Sequence, residues 1–314
     1  MRYLSCEAGT RKQTGLFRGR FMTLDGTTIG FIGLGMMGRP MARNLHRASA
    51  RVIVHNRSAP PMEELAAEGM VTAASPAEAA AIADIVITML TDTPAVEKVI
   101  AGPGGILESA RPGLLVIDMS TTKVPVTRAL AAKLAEKGAD FIDAPVSGGT
   151  IGAEAGSLII MAGGTEAAMA RAKSIFEVLG SRTTHVGDVS AGQVAKAANQ
   201  VIVGLNIGAV AEALTLARYA GVDPARVRDA LKGGFADSRV LEVHGERMVS
   251  GKLQPGARAT VQRKDMDQAV ELAGELGIEL PATRLSRDLY DKLIEAGFGD
   301  LDHAALIKAI GPDT

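Results

Sequence analysis

Ile29-Gly30-Phe31-Ile32-Gly33-Leu34-Gly35-Met36-Met37-Gly38 decides how the rest of this chain is read. It holds G-x-G-x-x-G at Gly33, Gly35 and Gly38, after a short apolar β-rich run (28–33) and before a helix-like stretch (36–48). In that setting each glycine has a task. Gly33 makes a tight turn, Gly35 lets a pyrophosphate approach the backbone, and Gly38 lets the helix lie close to the strand. Free N–H groups at the helix start suit phosphate oxygens. Leu34, Met36 and Met37 complete this candidate dinucleotide cradle. A plain glycine turn at a strand–helix corner is the alternative.

Outward from this loop the chain alternates. Strands are expected at 51–55, 84–90, 114–119, 140–143, 157–162 and 183–186, with helices at 61–69, 124–138 and 166–179. The runs DIVITML and LLVIDM are nearly all apolar, as in parallel strands covered on both faces. Alternation of this kind predicts a Rossmann-like, doubly wound parallel sheet. After Gly187 the pattern is helical only, at 189–220, 224–232, 240–249, 264–276, 281–295 and 302–310. The expected fold class is therefore an α/β Rossmann-like domain over 27–188 plus an all-α domain over 189–314, joined by a long interdomain helix. Residues 1–26 read as a disordered tail or an over-called start, with Met22 a candidate first residue and an organelle transit peptide the competing reading.

Composition narrows the function classes. Charged residues are 22% and the formal net charge is -1, so nothing favours nucleic acid or an anionic membrane as partner. Cys6 is the one cysteine, which excludes an intrachain disulfide and fits a reducing, cytoplasmic compartment. The histidines are scattered, and no His/Asp/Glu spacing suggests a metal site.

The helix expected at 189–220 lacks proline and is apolar nearly all round, which marks it for burial. Asn206 and Glu212 interrupt its apolar run, so a membrane span is not expected. Near its start stands Lys196, with Asn199 and Gln200 three and four residues on, on the same face. A buried ammonium needs a partner or a purpose. Lys196 and Asn199 are the candidate catalytic pair.

Further site candidates lie at strand ends, where open α/β sheets bind ligands. Met89, Leu90 and Thr121 are placed beside the glycine loop; Thr121 and Thr122 also suit capping of the next helix. The second strand ends Asn56-Arg57-Ser58. An Asp or Glu there would bind a ribose 2′-hydroxyl and repel a 2′-phosphate, whereas Arg57 can grip one. This favours NADP(H) and leaves NAD(H) open, the alternative being a solvated arginine on a turn. Ser147, Gly148 and Gly149 follow another strand and offer a hydroxyl and backbone N–H groups to a carboxylate, or a merely flexible turn.

Three stretches together resemble the β-hydroxyacid dehydrogenases, the family that includes 3-hydroxyisobutyrate dehydrogenase. They are Gly30 to Gly38, Asp143-Ala-Pro-Val-Ser147-Gly148-Gly149 and Gly192-Gln-Val-Ala-Lys196-Ala-Ala-Asn199-Gln200. Two more, Asn199 to Asn206 and Gly233 to Met248, resemble the branch that reduces tartronate semialdehyde to glycerate. The resemblance implies that Lys196 is the acid/base, that the turn from Ser147 to Gly149 binds the substrate carboxylate, and that Asn199 orients the hydroxyl. It also implies that Lys264-Asp265 lies beside the nicotinamide. Gln200 stands where many members carry a second Asn. Ser238 and Arg239 are expected to shape the pocket with Gln200. The implied partners are a small 3-oxo or 3-hydroxy acid and further copies of the chain, in a homodimer or homotetramer.

Overall fold

The computed structural model describes residues 23–311. The expectations for residues 1–22 lie outside the described residues. Packing starts earlier than expected: Leu24 is buried and its N–H donates to Ala48 O.

The first domain is built on strands β1 (Thr28–Ile32), β2 (Arg51–His55), β3 (Val71–Thr72), β4 (Ile85–Thr88), β5 (Leu115–Asp118), β6 (Asp140–Asp143), β7 (Val146–Ser147), β8 (Leu158–Gly163) and β9 (Gly180–Gly187). Between them run helices α1 (Gly38–Arg47), α2 (Pro60–Ala67), α3 (Pro76–Ile82), α4 (Thr93–Ala101), α5 (Val124–Glu136), α6 (Gly149–Ala155) and α7 (Glu166–Leu179). The sheet order is β3-β2-β1-β4-β5-β6-β8-β7, with β9 on β8. β1 to β6 pair in parallel, in the register Ile29↔Val52 and Ile29↔Ile85 across β1. Every residue of β4 and β5 is buried, because helices cover both faces.

An all-parallel sheet is corrected here. β8 runs antiparallel to both β6 and β7. β6 and β7 therefore point the same way, and the chain returns against both as β8 after the short helix α6. The pattern also missed β3, α3, α4, β7 and α6. Two of these are two-residue strands, too short to show a period. α3 and α4 are announced by caps, since Ser75 accepts from Glu78 N and Asp92 from Ala95 N.

The second domain comprises α8 (Ala191–Tyr219), α9 (Pro224–Leu231), α10 (Arg239–Ser250), α11 (Ala259–Glu275) and α12 (Pro281–Leu293), closed by a 3-10 segment at His303–Ala309. Its core is a separate cluster around Ile207, Leu214, Leu241, Met266, Tyr290 and Leu306. By length and composition alone α8 is apolar enough to cross a membrane, contrary to the expectation. Half of its apolar stretch is instead buried inside the protein, and α8 packs against β8, α10, α11 and α12.

How α8 meets the sheet fixes the site. Its start has no side-chain cap of its own, and Ser190 adopts a left-handed φ of 83°. Asp143, at the end of β6, supplies the cap from a distance: Oδ1 accepts from Ser190 N at 2.6 Å and Oδ2 from Gln193 N at 2.8 Å. Gly192 is pressed so close that a Cβ there would lie 2.4 Å from Met161 O and 2.6 Å from Asp143 O. The helix is thus docked end-on against β6 and β8, and its next turn carries Lys196 over β7.

Candidate active site

The glycine loop joins β1 to α1 beside the end of β4, where the strand order reverses. Gly33 has φ of +100°, and a Cβ would come within 2.3 Å of Met89 O. A Cβ on Gly38 would lie 1.9 Å from Gly33 O. Around Gly35, by contrast, a Cβ would meet nothing within 4 Å. Two glycines are therefore demanded by the protein, and the third by something the loop is built to approach. α1 has no side-chain cap and no acid in its first turn, so no side chain competes with an anion at its N-terminus. These residues fit a dinucleotide.

The β2 terminus meets the same loop. Asn56 Oδ1 accepts from Leu34 N at 3.0 Å, while Asn56 Nδ2 donates to Ser58 Oγ at 2.9 Å. Asn56 is thus a brace for the loop. Arg57 is exposed and forms no hydrogen bond or ion pair within the described chain. Met89 and Leu90 continue β4 beside Gly33, and Leu90 N donates to Ser120 Oγ at 2.9 Å. Thr121 lines an interdomain cleft with Lys123, Gln193, Gln200, Asp265 and Gln268. The capping role for Thr121 and Thr122 is not seen: α5 has no side-chain cap, and Thr122 Oγ1 donates to the buried Asp118 at 2.6 Å.

Lys196 is 7% exposed. Its Nζ donates to Val146 O at 2.8 Å and to Gln200 Oε1 at 3.1 Å. Burial pushes its pKa down; Asp265 pulls it back up, and Lys264 lowers it further. Such a group can give up a proton closer to neutrality than an exposed lysine does. Val146 immediately precedes Ser147, so the ammonium and the candidate carboxylate nest share one short strand. The expected open turn at Ser147 to Gly149 is the end of β7 and the start of α6. Gly148 has φ of 130°, no side chain caps α6, and the Ser147 hydroxyl has no partner within the described chain. The arrangement can hold a carboxylate a few atoms from a carbonyl under Lys196.

Gln200 is placed more centrally than Asn199. It contacts Lys196 directly, whereas Asn199 Nδ2 reaches only Gln200 Oε1, at 2.7 Å. Lys264 closes the cleft, its Nζ 3.0 Å from both Thr91 O and Asp265 Oδ1. Lys123–Glu271 and Gln268–Thr93 join the domains along the same line. Asp265, expected with Lys264 beside the nicotinamide, lines the cleft, whereas Gln193 was not among the candidates. Gln193 Oε1 accepts from Thr122 N at 3.0 Å and its Nε2 donates to Ser120 O at 2.9 Å. No sequence signal marked Gln193, since its partners are about seventy residues away.

Ser238 and Arg239 bond locally, away from Lys196. Ser238 is the N-cap of α10, accepting from Leu241 N at 2.9 Å, and Arg239 points outward to Glu242. From the same stretch, His244 and Arg247 turn inward instead. The scattered-histidine reading is also corrected, because His244, Asp302 and His303 bring ligand-type atoms within 4.8 Å of one another. Asp302 is already engaged by Arg247 and by the N–H groups of Gly256, Ala257 and Ala304. A divalent ion would sit against that guanidinium, so the donor set fits a clamp on the 256–257 loop better than a metal. Gly256 in turn faces Gly149, which places the clamp behind the turn from Ser147 to Gly149.

This fold and site define a class. Residues 28–187 match the NAD-binding domain of 6-phosphogluconate dehydrogenase, and residues 190–310 match the NAD-binding model of NADP-dependent 3-hydroxyisobutyrate dehydrogenase. The chain belongs to the 3-hydroxyisobutyrate dehydrogenase-like β-hydroxyacid dehydrogenases and is an NAD(P)-dependent oxidoreductase. Among individual relatives, it is 45% identical over 282 residues to 2-hydroxy-3-oxopropionate reductase of Escherichia coli, covering 90% of this chain and 96% of that protein. A 3-hydroxyisobutyrate dehydrogenase from Salmonella typhimurium superposes with a TM-score of 0.82 at 29% identity, over 90% of this chain and all of the other. Psf3, solved with NADP+ and 2-OPP, gives 0.82 at 26% identity, over 90% of this chain and 100% of its own.

Proposed function

We propose that this protein reduces tartronate semialdehyde (2-hydroxy-3-oxopropanoate) to glycerate, with Lys196 as the proton donor and NADPH as the preferred reductant. The bound nicotinamide supplies the hydride that the aldehyde carbon takes up. As that carbon is reduced, charge builds on its oxygen, and Lys196 gives that oxygen a proton, leaving a neutral amine. Ser147 and the N–H groups of Gly148 and Gly149 hold the substrate carboxylate, which sets its distance from the lysine. Asn199 and Gln200 keep the polar wall of the pocket on the oxygen side. In the oxidative direction the neutral lysine takes the hydroxyl proton back.

The observation that carries this reading is the placement of a buried Lys196 ammonium against the carbonyl that leads into the Ser147 nest. The identity to the E. coli enzyme supports the choice of substrate. The exposed, unpaired Arg57 and the absence of a carboxylate at Asn56 support NADPH over NADH. The competing substrates, 3-hydroxyisobutyrate, succinic semialdehyde and glyoxylate, share the carboxylate and the reacting oxygen. A panel of these acids with each cofactor tests the proposal. The largest kcat/KM is expected for tartronate semialdehyde with NADPH, and a clear preference for another acid would overturn it. Lys196→Ala should lose about 10²–10⁴-fold in kcat while still binding cofactor.

We further propose that the chain acts in the cytoplasm as a homodimer or homotetramer. The outer face of α8 presents Val194, Ile202 and Leu216, the last two 61% and 73% exposed. A second copy is the occupant that an apolar face on this central helix suits. Light scattering after size exclusion is expected to give at least a dimer; a monomer at micromolar concentration would refute this.

A further inference from the structure

An ammonium has three N–H donors, and two of those on Lys196 are committed, to Val146 O and to Gln200 Oε1. No third acceptor for it stands within the described residues, so one N–H points into the site. Holding the rotor this way works only if Gln200 presents its oxygen, not its amino group. What enforces that orientation lies one layer deeper, in α11.

Gln262 is 2% exposed and faces Gln200 across the α8–α11 contact. Its Nε2 donates to the backbone oxygen of Gln200 at 3.1 Å, and its Oε1 accepts from Gln200 Nε2 at 3.1 Å. Gln200 Nε2 also donates to Asp265 Oδ2 at 2.6 Å. The donor and acceptor roles in this chain have one consistent solution. A backbone carbonyl only accepts, so Gln262 must turn its amino group toward it and its oxygen toward Gln200. An ionised Asp265 also only accepts. Both demands put the Gln200 amino group on the α11 side and its oxygen on the Lys196 side. A flipped Gln200 would set its amino group against the donors of Lys196 and Asn199 and its oxygen against the acceptors Gln262 Oε1 and Asp265 Oδ2.

The close approach is built in. A Cβ on Gly204 would lie 2.9 Å from Gln262 Nε2 and 2.5 Å from Met266 Sδ. Gly204, expected from its spacing with Gly208 to allow close helix packing, admits α11 at the level where Gln262 reaches Gln200.

We propose that Gln262 is a positioning residue for the proton transfer. It fixes the Gln200 amide, which commits two Lys196 N–H bonds and leaves the third for the substrate oxygen. Gln262 touches neither the reacting atoms nor the cofactor loop. The inference rests on the reading of Lys196 as proton donor, and its test keeps the two apart.

The test compares Gln262→Met, Gln200→Met and the double variant, assayed on the full chain with tartronate semialdehyde and NADPH. Gln262→Met is expected to lower kcat about tenfold, the scale of coupling between contacting residues. KM for NADPH should stay within a factor of three, and the lysine-dependent limb of the pH–rate profile should move. The double variant should be no slower than Gln200→Met alone. Gln262→Asn keeps a polar side chain of lower reach; it serves if Gln262→Met does not fold, with the same loss of kcat expected. Wild-type kcat and pH profile in a folded variant, with only the melting temperature lowered, would overturn the proposal. So would losses that multiply in the double variant. If instead Lys196→Ala kept its activity, the proton-donor reading itself would fail, whatever Gln262→Met does.

Discussion

Gly35→Ala separates what the glycine loop owes to the fold from what it owes to the cofactor. A Cβ at Gly35 meets no atom within 4 Å, and Gly35 is not among the glycines with positive φ. The free protein should therefore accept the methyl group. Its stability should change by no more than about 0.5 kcal/mol, or rise slightly, because alanine narrows the unfolded ensemble. The methyl group would stand in the space that the pyrophosphate needs. Losing one or two charge-assisted hydrogen bonds, each worth about 1.5–3 kcal/mol, corresponds to roughly 10- to 10⁴-fold weaker binding. Gly33→Ala is the control. Its φ of +100° and the 2.3 Å approach to Met89 O should cost stability and binding together. Thermal melts without cofactor, alongside NADPH fluorescence titrations, read both quantities. A Gly35→Ala protein that binds NADPH within threefold of wild type would refute the assignment of Gly35 as the point of phosphate approach. One that unfolds would refute the claim that the space around it is free.

Arg57→Ala should weaken NADPH binding at least tenfold and leave NADH binding unchanged, measured by paired titrations; equal losses for both would remove Arg57 from 2′-phosphate recognition. Asp143→Ala strands the N–H groups of Ser190 and Gln193 in a buried site, at about 1–3 kcal/mol each, and a melting temperature lowered by several degrees is expected. Burial pushes His303 down to about 3, helped by His244, Arg247 and Lys196 and opposed by Asp302. Its folded pKa lies below the unfolded value near 6.5, so the stability it contributes is complete above that pH and is lost as pH falls toward 3. Asp302, held low by His244, His303 and the Ala304 and Gly256 N–H groups despite its burial, adds a loss in the same direction at still lower pH. A denaturant series from pH 7.5 to 4 should show this slope, and His303→Gln should flatten it; an unchanged slope would show that His303 does not titrate in this way.

Much of this was written in local pattern. Apolar runs such as 84–90 and 114–119 announce doubly covered strands, and Gly33, Gly35 and Gly38 carry their spacing wherever the loop lies. Lys196 and Gln200 share a helix face because four residues make about one turn. These are short-range facts, so the chain alone determined the Rossmann-like domain, the helical second domain and the identity of the central lysine. The tertiary structure decided what depends on contacts between distant segments. Asp143 became the cap of α8 across about fifty residues, and β8 came back antiparallel to both β6 and β7. Ser238 and Arg239 stand in a stretch that resembles a pocket wall, yet one caps α10 and the other meets Glu242 at the surface. Gln262 and Asp265 gained their parts only when α8 and α11 packed together, and Gln193 only when α8 met the loop after β5, since the partner that gives a buried amide its orientation lies far along the chain.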